Sequence, residues 1–184
     1  PLLSVVGAVL AAKYADNFLL LLMILLVVFA ILIGFFSGKY LTTIIFAISL
    51  SLLLHSALSC SYLISLGSDV PGESFLATAV QESAQWNLNS PYPGDDAYSR
   101  LYSMLSVTVL PVVYSTLLRV DITWVFRVLY PLIFSFVPLV LYKWWHGFMG
   151  KKGAFVAAVL LMAQSTFFTE LLGLGRQMIA ELFL

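Results

Sequence analysis

The chain has 184 residues, of which 61% are hydrophobic and only 10% are charged, and its mean hydropathy is +1.01. An ordinary soluble domain is roughly 45 to 50% apolar, so this composition excludes a soluble globular protein and indicates an integral membrane protein. The formal net charge is zero and no basic stripe with interleaved aromatic residues occurs, so nucleic acid is not an expected partner.

Apolar runs predict four complete membrane spans, with a partial span at each end of the chain. Residues 18–36 carry no charge, and roughly 20 such residues cross the ~30 Å hydrocarbon core of a bilayer as a helix. The other predicted spans cover about residues 40–63, 122–142 and 154–172. We therefore expect an all-α fold, a polytopic transmembrane helix bundle.

The pattern divides a single transmembrane domain, residues 1–184, into three parts. These are N-terminal spans in residues 1–64, an external loop in 65–121 and further spans in 122–184. The chain begins at Pro1 without a methionine and stops inside an apolar run at Leu184. We interpret it as a fragment of a longer protein.

Between the apolar blocks, a polar stretch over residues 65–100 holds five of the nine carboxylates of the chain. Within it, residues 73–86 have apolar positions on one helical face, so we expect a helix lying flat on the bilayer, with Phe75 and Trp86 as interfacial anchors. Residues 101–120 are apolar but interrupted by Pro111 and dotted with hydroxyls. We predict a juxtamembrane helix there that does not cross the bilayer.

The lysines set the expected orientation. If residues 101–120 do not cross, Lys39 and the lysines of residues 143–152 share one side of the membrane. The positive-inside rule assigns that side to the cytoplasm. The acidic loop is then expected on the extracytoplasmic face of the cell membrane.

Four sequence runs together carry a resemblance over the whole chain. They are GSDVPGE (67–73), LSVTVLPVVYSTLL (105–118), VFRVLYPLIFSFVPLVLY (125–142) and TELLGLGRQMIAELF (169–183). The chain resembles the GT-C superfamily of integral-membrane glycosyltransferases and, more closely, an uncharacterised family of archaeal multi-spanning membrane proteins grouped with it. The resemblance implies transfer of a sugar from a lipid-phosphate donor at the extracytoplasmic face, with membrane lipid and that lipid-linked donor as partners.

The resemblance also implies that Asp69 is catalytic, because GT-C enzymes typically need an acidic residue early in the first external loop. A hydroxyl acceptor loses its proton as it attacks, and a nearby carboxylate can take that proton. Glu73, one turn on, is the second catalytic candidate, and the pair could hold a divalent cation. The alternatives are that Asp69 caps the helix that starts near Pro71 and that Glu73 is only a favourable charge at its beginning.

A phosphate leaving group also needs its growing charge neutralised, and arginine offers a fork of donors for that task. Arg176 is the first candidate, because it follows two glycines at an expected external helix start. Arg127 either binds the donor phosphate or extends to the lipid headgroups. Glu181 is a candidate second acidic group, since an ionisable side chain in an apolar run is costly.

Two other functions fit the same sequence. One is a transporter or flippase for lipid-linked glycans, although transporters tend to place charges near the middle of the bilayer. The other is a non-catalytic assembly subunit that keeps the GT-C scaffold. The predicted position of the carboxylates outside the spans favours an external active site.

Overall fold

The computed structural model describes residues 1–14, 17–59, 69–86 and 96–183, and this part is helical without strands. The prediction of an all-α fold is confirmed for these residues. The helices, in chain order, are α1 (Leu2–Tyr14), α2 (Phe18–Ser37), α3 (Leu41–Ser59), α4 (Val70–Ser83), α5 (Asp96–Ser103), α6 (Leu105–Leu118), α7 (Ile122–Trp124), α8 (Tyr130–Phe134), α9 (Val137–Ala163), α10 (Ser165–Phe168) and α11 (Gly175–Ala180). A π-helical turn, Val125–Leu129, joins α7 to α8, and a 3-10 turn, Leu171–Gly173, precedes α11.

Three helical stretches in the described residues are long and apolar enough to cross a membrane, namely Phe18–Ser37, Leu41–Ser59 and Ile122–Ala163. The first is the most apolar, with a mean hydropathy of 3.3, and only 11% of its most apolar window is buried against other helices. A helix with so many exposed apolar side chains is stable where lipid surrounds it. The prediction of membrane-spanning helices is therefore supported.

α2 and α3 form a helical hairpin closed by Gly38. This residue has a φ of 64°, and its N–H donates to Gly34 O at 2.8 Å. Such a left-handed residue ends a helix without steric cost when it is glycine. The hairpin also packs on α1, where Ser4 Oγ donates to Ser51 O at 2.5 Å and the His55 ring lies 3.3 Å from Ser4 O. His55 is thus a buried contact between helices.

The long stretch Ile122–Ala163 is two antiparallel pieces rather than one rod. Gly150 breaks it with φ 70° and ψ 174°. The Phe134 and Phe167 rings lie 5.1 Å apart, whereas a continuous helix would separate them by about 50 Å. Lys152 Nζ lies 5.2 Å from the Phe35 ring centroid, so the reversal at Gly150 is at the same end as the turn between α2 and α3.

The predicted fourth span, residues 154–172, is not one helix. α9 ends at Ala163, Gln164 is extended with ψ 134°, and the short helices α10 and α11 follow. The Ser and Thr hydroxyls of this region compete for backbone groups, and Thr169 Oγ1 donates to Ser165 O at 2.6 Å. Glycines at 173 and 175 weaken helix formation further.

α4, α5 and α6 form a layer over one end of these helices. α6 has 14 residues and is about 21 Å long, too short to cross the ~30 Å apolar core. Tyr130 Oη donates to Ser106 O at 2.6 Å and joins α6 to α8. The predicted single helix over residues 101–120 is corrected, because Met104 is extended with ψ 104° and separates α5 from α6.

The predicted surface helix of residues 73–86 corresponds to α4 and the turn after it. Phe75 is exposed, as an interfacial anchor would be. Trp86 instead stacks on Tyr102, with ring centroids 6.4 Å apart, and its Nε1 donates to Tyr102 O at 3.1 Å. Trp86 therefore ties the end of α4 to α5, and its contact with the lipid headgroups stays a prediction.

Candidate functional site

Three predicted site residues meet where the start of α4 faces the start of α11. Arg176 Nη2 donates to Asp69 Oδ2 at 2.5 Å, and Arg176 Nη1 donates to Glu73 Oε1 at 3.2 Å. These partners are 107 and 103 residues apart in the chain. The fold thus brings together an arginine and two carboxylates that local sequence does not connect.

Local helix geometry explains how the two carboxylates reach one guanidinium. Glu73 N donates to Asp69 O at 2.9 Å, so the residues are one helical turn apart. Side chains four residues apart lie on the same helix face. Asp69 and Glu73 therefore lie on the same face of the helix, and both carboxylates point to α11.

A glycine allows α11 to approach this face. A Cβ added at Gly175 would collide with Glu73 Oε2 and would lie 3.0 Å from Phe126 Cε1. Any larger residue would push α11 away from α4 or displace Glu73. Gly175 is therefore part of the site, through the space that it leaves.

The two carboxylates differ in their access to water. The Glu73 side chain is 0% exposed, whereas those of Asp69 and Arg176 are 31% and 28% exposed. Glu73 Oε2 has no hydrogen-bond partner of good geometry within the described part of the chain. Burial raises the pKa of the Glu73 carboxyl above its ordinary value of 4.5, and the Arg176 guanidinium offsets part of this rise, as do the nearby backbone N–H groups of Arg176 and Gly175.

The capping alternative for Asp69 can be compared directly with its geometry. Asp69 occupies the N-cap position of α4, but its side chain makes no capping hydrogen bond. By contrast, the Asp121 side chain accepts from Thr123 N at 2.7 Å and caps α7. The Asp69 carboxylate is instead turned to Arg176, so helix capping does not account for this side chain.

Beside this ion pair lies an open cleft of about 370 Å³, lined by Asp69, Arg100, Leu101, Met104 and Arg176. Its lining therefore combines two arginines, one aspartate and two apolar residues. Arg100, Leu101 and Met104 are not among the site residues predicted from the sequence. Their residue types were visible in the sequence, but their position depends on how α5 packs on α4, which no local pattern predicts.

Arg127 lies elsewhere at this end of the bundle. Its Nη2 donates to Ala57 O at 3.4 Å in the last turn of α3, and its Cζ lies 5.9 Å from the Trp124 ring centroid. Positive groups favour the last carbonyls of a helix. Arg127 is not among the described residues that line the cleft, so its predicted contact with a donor phosphate has no support from this placement.

Glu181 is also outside the cleft lining among the described residues. It follows α11 in a turn, where its N–H donates to Gln177 O at 2.9 Å and burial raises the pKa of its carboxyl. It is therefore a partly buried acid close to Arg176 in sequence, and its role as a second acidic group stays a prediction.

The fit of a divalent cation can be tested on the donor set. Asp69 and Glu73 both bind Arg176, so the guanidinium already occupies the position between them. No group of three His, Cys, Asp or Glu side chains suited to a metal occurs within the described ranges. These residues do not fit a metal centre in this arrangement, and no reaction step below uses one.

Comparison with known proteins identifies no family for this chain. No protein-family model, no curated protein sequence and no solved structure matches the chain. The resemblance to GT-C enzymes rests on the sequence runs given above. The function is therefore inferred from the membrane helices and from the cleft that contains Asp69, Arg100 and Arg176.

Proposed function

We propose that this protein is a membrane-embedded transferase of the GT-C type, which moves a sugar from a lipid-phosphate donor to a hydroxyl acceptor. The observation that carries the proposal is the composition of the cleft. Two arginines, one carboxylate and an apolar wall line the same opening at one end of the membrane helices. A substrate that is both anionic and lipid-bound matches this combination.

The phosphate would bind the arginines. Arg176 and Arg100 line the cleft, and the donors of a guanidinium group match phosphate oxygens in geometry and in charge. Leu101 and Met104 offer apolar contact to the first part of the lipid chain. Arginine contact would also stabilise the leaving group, because negative charge develops on the phosphate as the donor bond breaks.

Asp69 is the proposed base for the reaction. The acceptor oxygen attacks the anomeric carbon, and the bond between that carbon and the donor phosphate oxygen breaks. The lipid phosphate leaves with the bonding electron pair, and the proton of the acceptor hydroxyl passes to the Asp69 carboxylate. Asp69 is the partly exposed carboxylate of the site and lines the cleft, so an acceptor could reach it.

The transfer assay tests the role of Asp69 directly. Full-length protein would be given a lipid-phosphate donor with a labelled sugar, and Asp69→Asn would be compared with Glu82→Gln. Glu82 is an exposed carboxylate on the same helix, so its substitution should leave activity unchanged. We expect Asp69→Asn to lose about 100-fold or more of the rate, in line with loss of a general base. Activity within about threefold of wild type would remove Asp69 from the mechanism.

The proposed orientation puts the cleft on the extracytoplasmic side. Lys39, Lys151 and Lys152 are exposed near the two turns at the opposite end of the bundle, and positive loops favour the cytoplasm. Single cysteines at Gln85 and Lys151, in a Cys60→Ser background, should react with an impermeant reagent only at residue 85 from outside. Labelling only at residue 151 would reverse the orientation.

A second candidate function is transport of a lipid-linked glycan. It is favoured by the helix break at Gln164 and the short helices after it, because transporters often build substrate sites from discontinuous helices. A reconstituted transporter would move labelled donor across a vesicle membrane without breaking its sugar-phosphate bond. A non-catalytic assembly subunit would neither move nor cleave the donor, so the two assays separate all three functions.

A further inference from the structure

We infer that the two carboxylates that hold Arg176 have different tasks. Glu73 is a positioning residue that keeps Arg176 in place from the buried side, and Asp69 is an exchangeable partner that a substrate phosphate displaces from Arg176. The inference rests on the proposed function, because it assigns the order of events at the same cleft.

The first supporting observation is the position of each carboxylate relative to the cleft. Asp69 and Arg176 line it, and Glu73 is not among the described lining residues. The Glu73 side chain is 0% exposed, while that of Asp69 is 31% exposed. A phosphate that enters the cleft therefore meets the contact between Arg176 and Asp69 before it can reach Glu73.

The second observation is that Glu73 is enclosed. Its side chain is buried, its Oε2 lies so close to Gly175 that a Cβ added there would collide with it, and Phe126 packs against the same glycine. Glu73 Oε1 accepts from Arg176 Nη1 at 3.2 Å. An anionic group enclosed in this way stays bound to its cation, because separation would leave a buried charge without compensation.

In this arrangement of Asp69, Glu73 and Arg176, phosphate binding and activation of the base are coupled. Without substrate, Asp69 Oδ2 accepts from Arg176 Nη2, and a carboxylate engaged in this way is a weaker proton acceptor. A phosphate oxygen that takes over Nη2 keeps the charge of Arg176 compensated and ends the contact between Arg176 and Asp69. Without that contact the Asp69 carboxylate is a stronger acceptor for the proton of the acceptor hydroxyl, so donor binding favours its action as a base.

A binding experiment with a simple probe tests both assignments. The full chain in lipid nanodiscs would be titrated with farnesyl phosphate, and with farnesol as the control that lacks the phosphate. Asp69→Asn should bind farnesyl phosphate about tenfold more tightly, since a competing charged partner has been removed. Glu73→Gln should bind it about tenfold more weakly, since Arg176 loses its fixed anchor. Farnesol binding should not change in either variant, and Glu82→Gln should match wild type with both probes.

Each outcome has a distinct meaning. Asp69→Asn binding that equals or falls below wild type overturns displacement, and Glu73→Gln binding equal to wild type overturns positioning. Equal losses with farnesol and farnesyl phosphate assign Glu73 to structural stability alone. Should Glu73→Gln fail to fold, Glu73→Asp keeps the charge but shortens the side chain, and wild-type affinity in that variant also overturns positioning. If every variant binds farnesyl phosphate and farnesol alike, the proposed donor class and this inference both fail. If the binding results are as expected but no sugar is transferred, the transferase reaction fails and displacement of Asp69 stands.

Discussion

The two ends of the helix bundle differ in whether their charged side chains are exposed or bound to one another. At the turn end, defined by Gly38 and Gly150, the chain reverses twice through glycines with positive φ, and Lys39 and Lys151 are exposed. At the cleft end, defined by Asp69 and Arg176, charged side chains from distant helices bind one another. One end needs only short turns and solvated lysines, whereas the other depends on long-range packing.

This contrast shows which charges can carry function. An exposed salt bridge contributes only about 0 to 1 kcal/mol to stability. The exposed lysines at the turn end can therefore direct the orientation in the membrane with little effect on stability. A buried carboxylate such as Glu73 is costly unless a cation is held beside it. Because of this cost, the loss of one charged residue at the cleft end should destabilise the fold more than the loss of a lysine at the turn end.

The largest effect is expected from Arg176→Met. The change removes the cation from both carboxylates and leaves buried Glu73 uncompensated, so the free energy of unfolding should fall by about 3 kcal/mol. Lys39→Met at the turn end should change it by less than about 0.5 kcal/mol. Denaturant unfolding in detergent measures both. The contrast between the ends fails if the two losses are equal, and Glu73→Gln should reduce the loss caused by Arg176→Met.

Gly175→Ala tests the close approach of α11 to α4. The added methyl group would collide with Glu73 Oε2 and crowd Phe126, so we expect a loss of about 2 kcal/mol, typical of overpacking. Gly147→Ala is the matched control near the turn end, where nothing lies within 4 Å of the added Cβ. That helical glycine should give equal or slightly higher stability as alanine. A neutral Gly175→Ala would show that the two helices do not need this contact.

Much of the fold can be predicted from the sequence because the signals for it are local. The uninterrupted apolar run of α2 and the glycine turn that ends it at Gly38 are features of neighbouring residues. The break at Gln164 was missed, because the surrounding residues are apolar enough to resemble a span while their hydroxyls and glycines weaken the helix. Apolarity indicates membrane depth but does not by itself ensure helical continuity.

The candidate site could be predicted only in part, for a related reason. Asp69 and Glu73 share a helix face, so their spacing indicated a pair, and the glycines before Arg176 indicated a helix start. The ion pair itself could not be derived, since it joins α4 to α11 across more than a hundred residues. The same holds for Arg100, which reaches the cleft through the packing of α5.

The Glu73 carboxyl is expected to make the free energy of unfolding depend on pH. Because burial raises its folded pKa above 4.5, the folded state keeps a proton that the unfolded chain has released. Stability from this group is therefore full below pH 4.5 and is lost as pH rises through the folded pKa, with a slope of at most about 1.4 kcal/mol per pH unit. Glu73→Gln should remove this fall. Asp121→Asn should not, because hydrogen bonds from Thr123 lower the pKa of Asp121, and its contribution is lost as pH falls.

The smallest effect concerns the wall of the cleft. Trp86 stacks on Tyr102 and donates from Nε1 to Tyr102 O at 3.1 Å, and α5 carries Arg100 and Leu101 into the cleft. Trp86→Phe keeps an aromatic ring but removes the donor, so the free energy of unfolding should fall by about 1 kcal/mol. Trp144→Phe, at an exposed tryptophan near the turn end, should change it by less than about 0.5 kcal/mol. Because the lost bond joins α4 to α5, Trp86→Phe should also weaken farnesyl phosphate binding, and an unchanged affinity would show that α5 holds Arg100 in place without it.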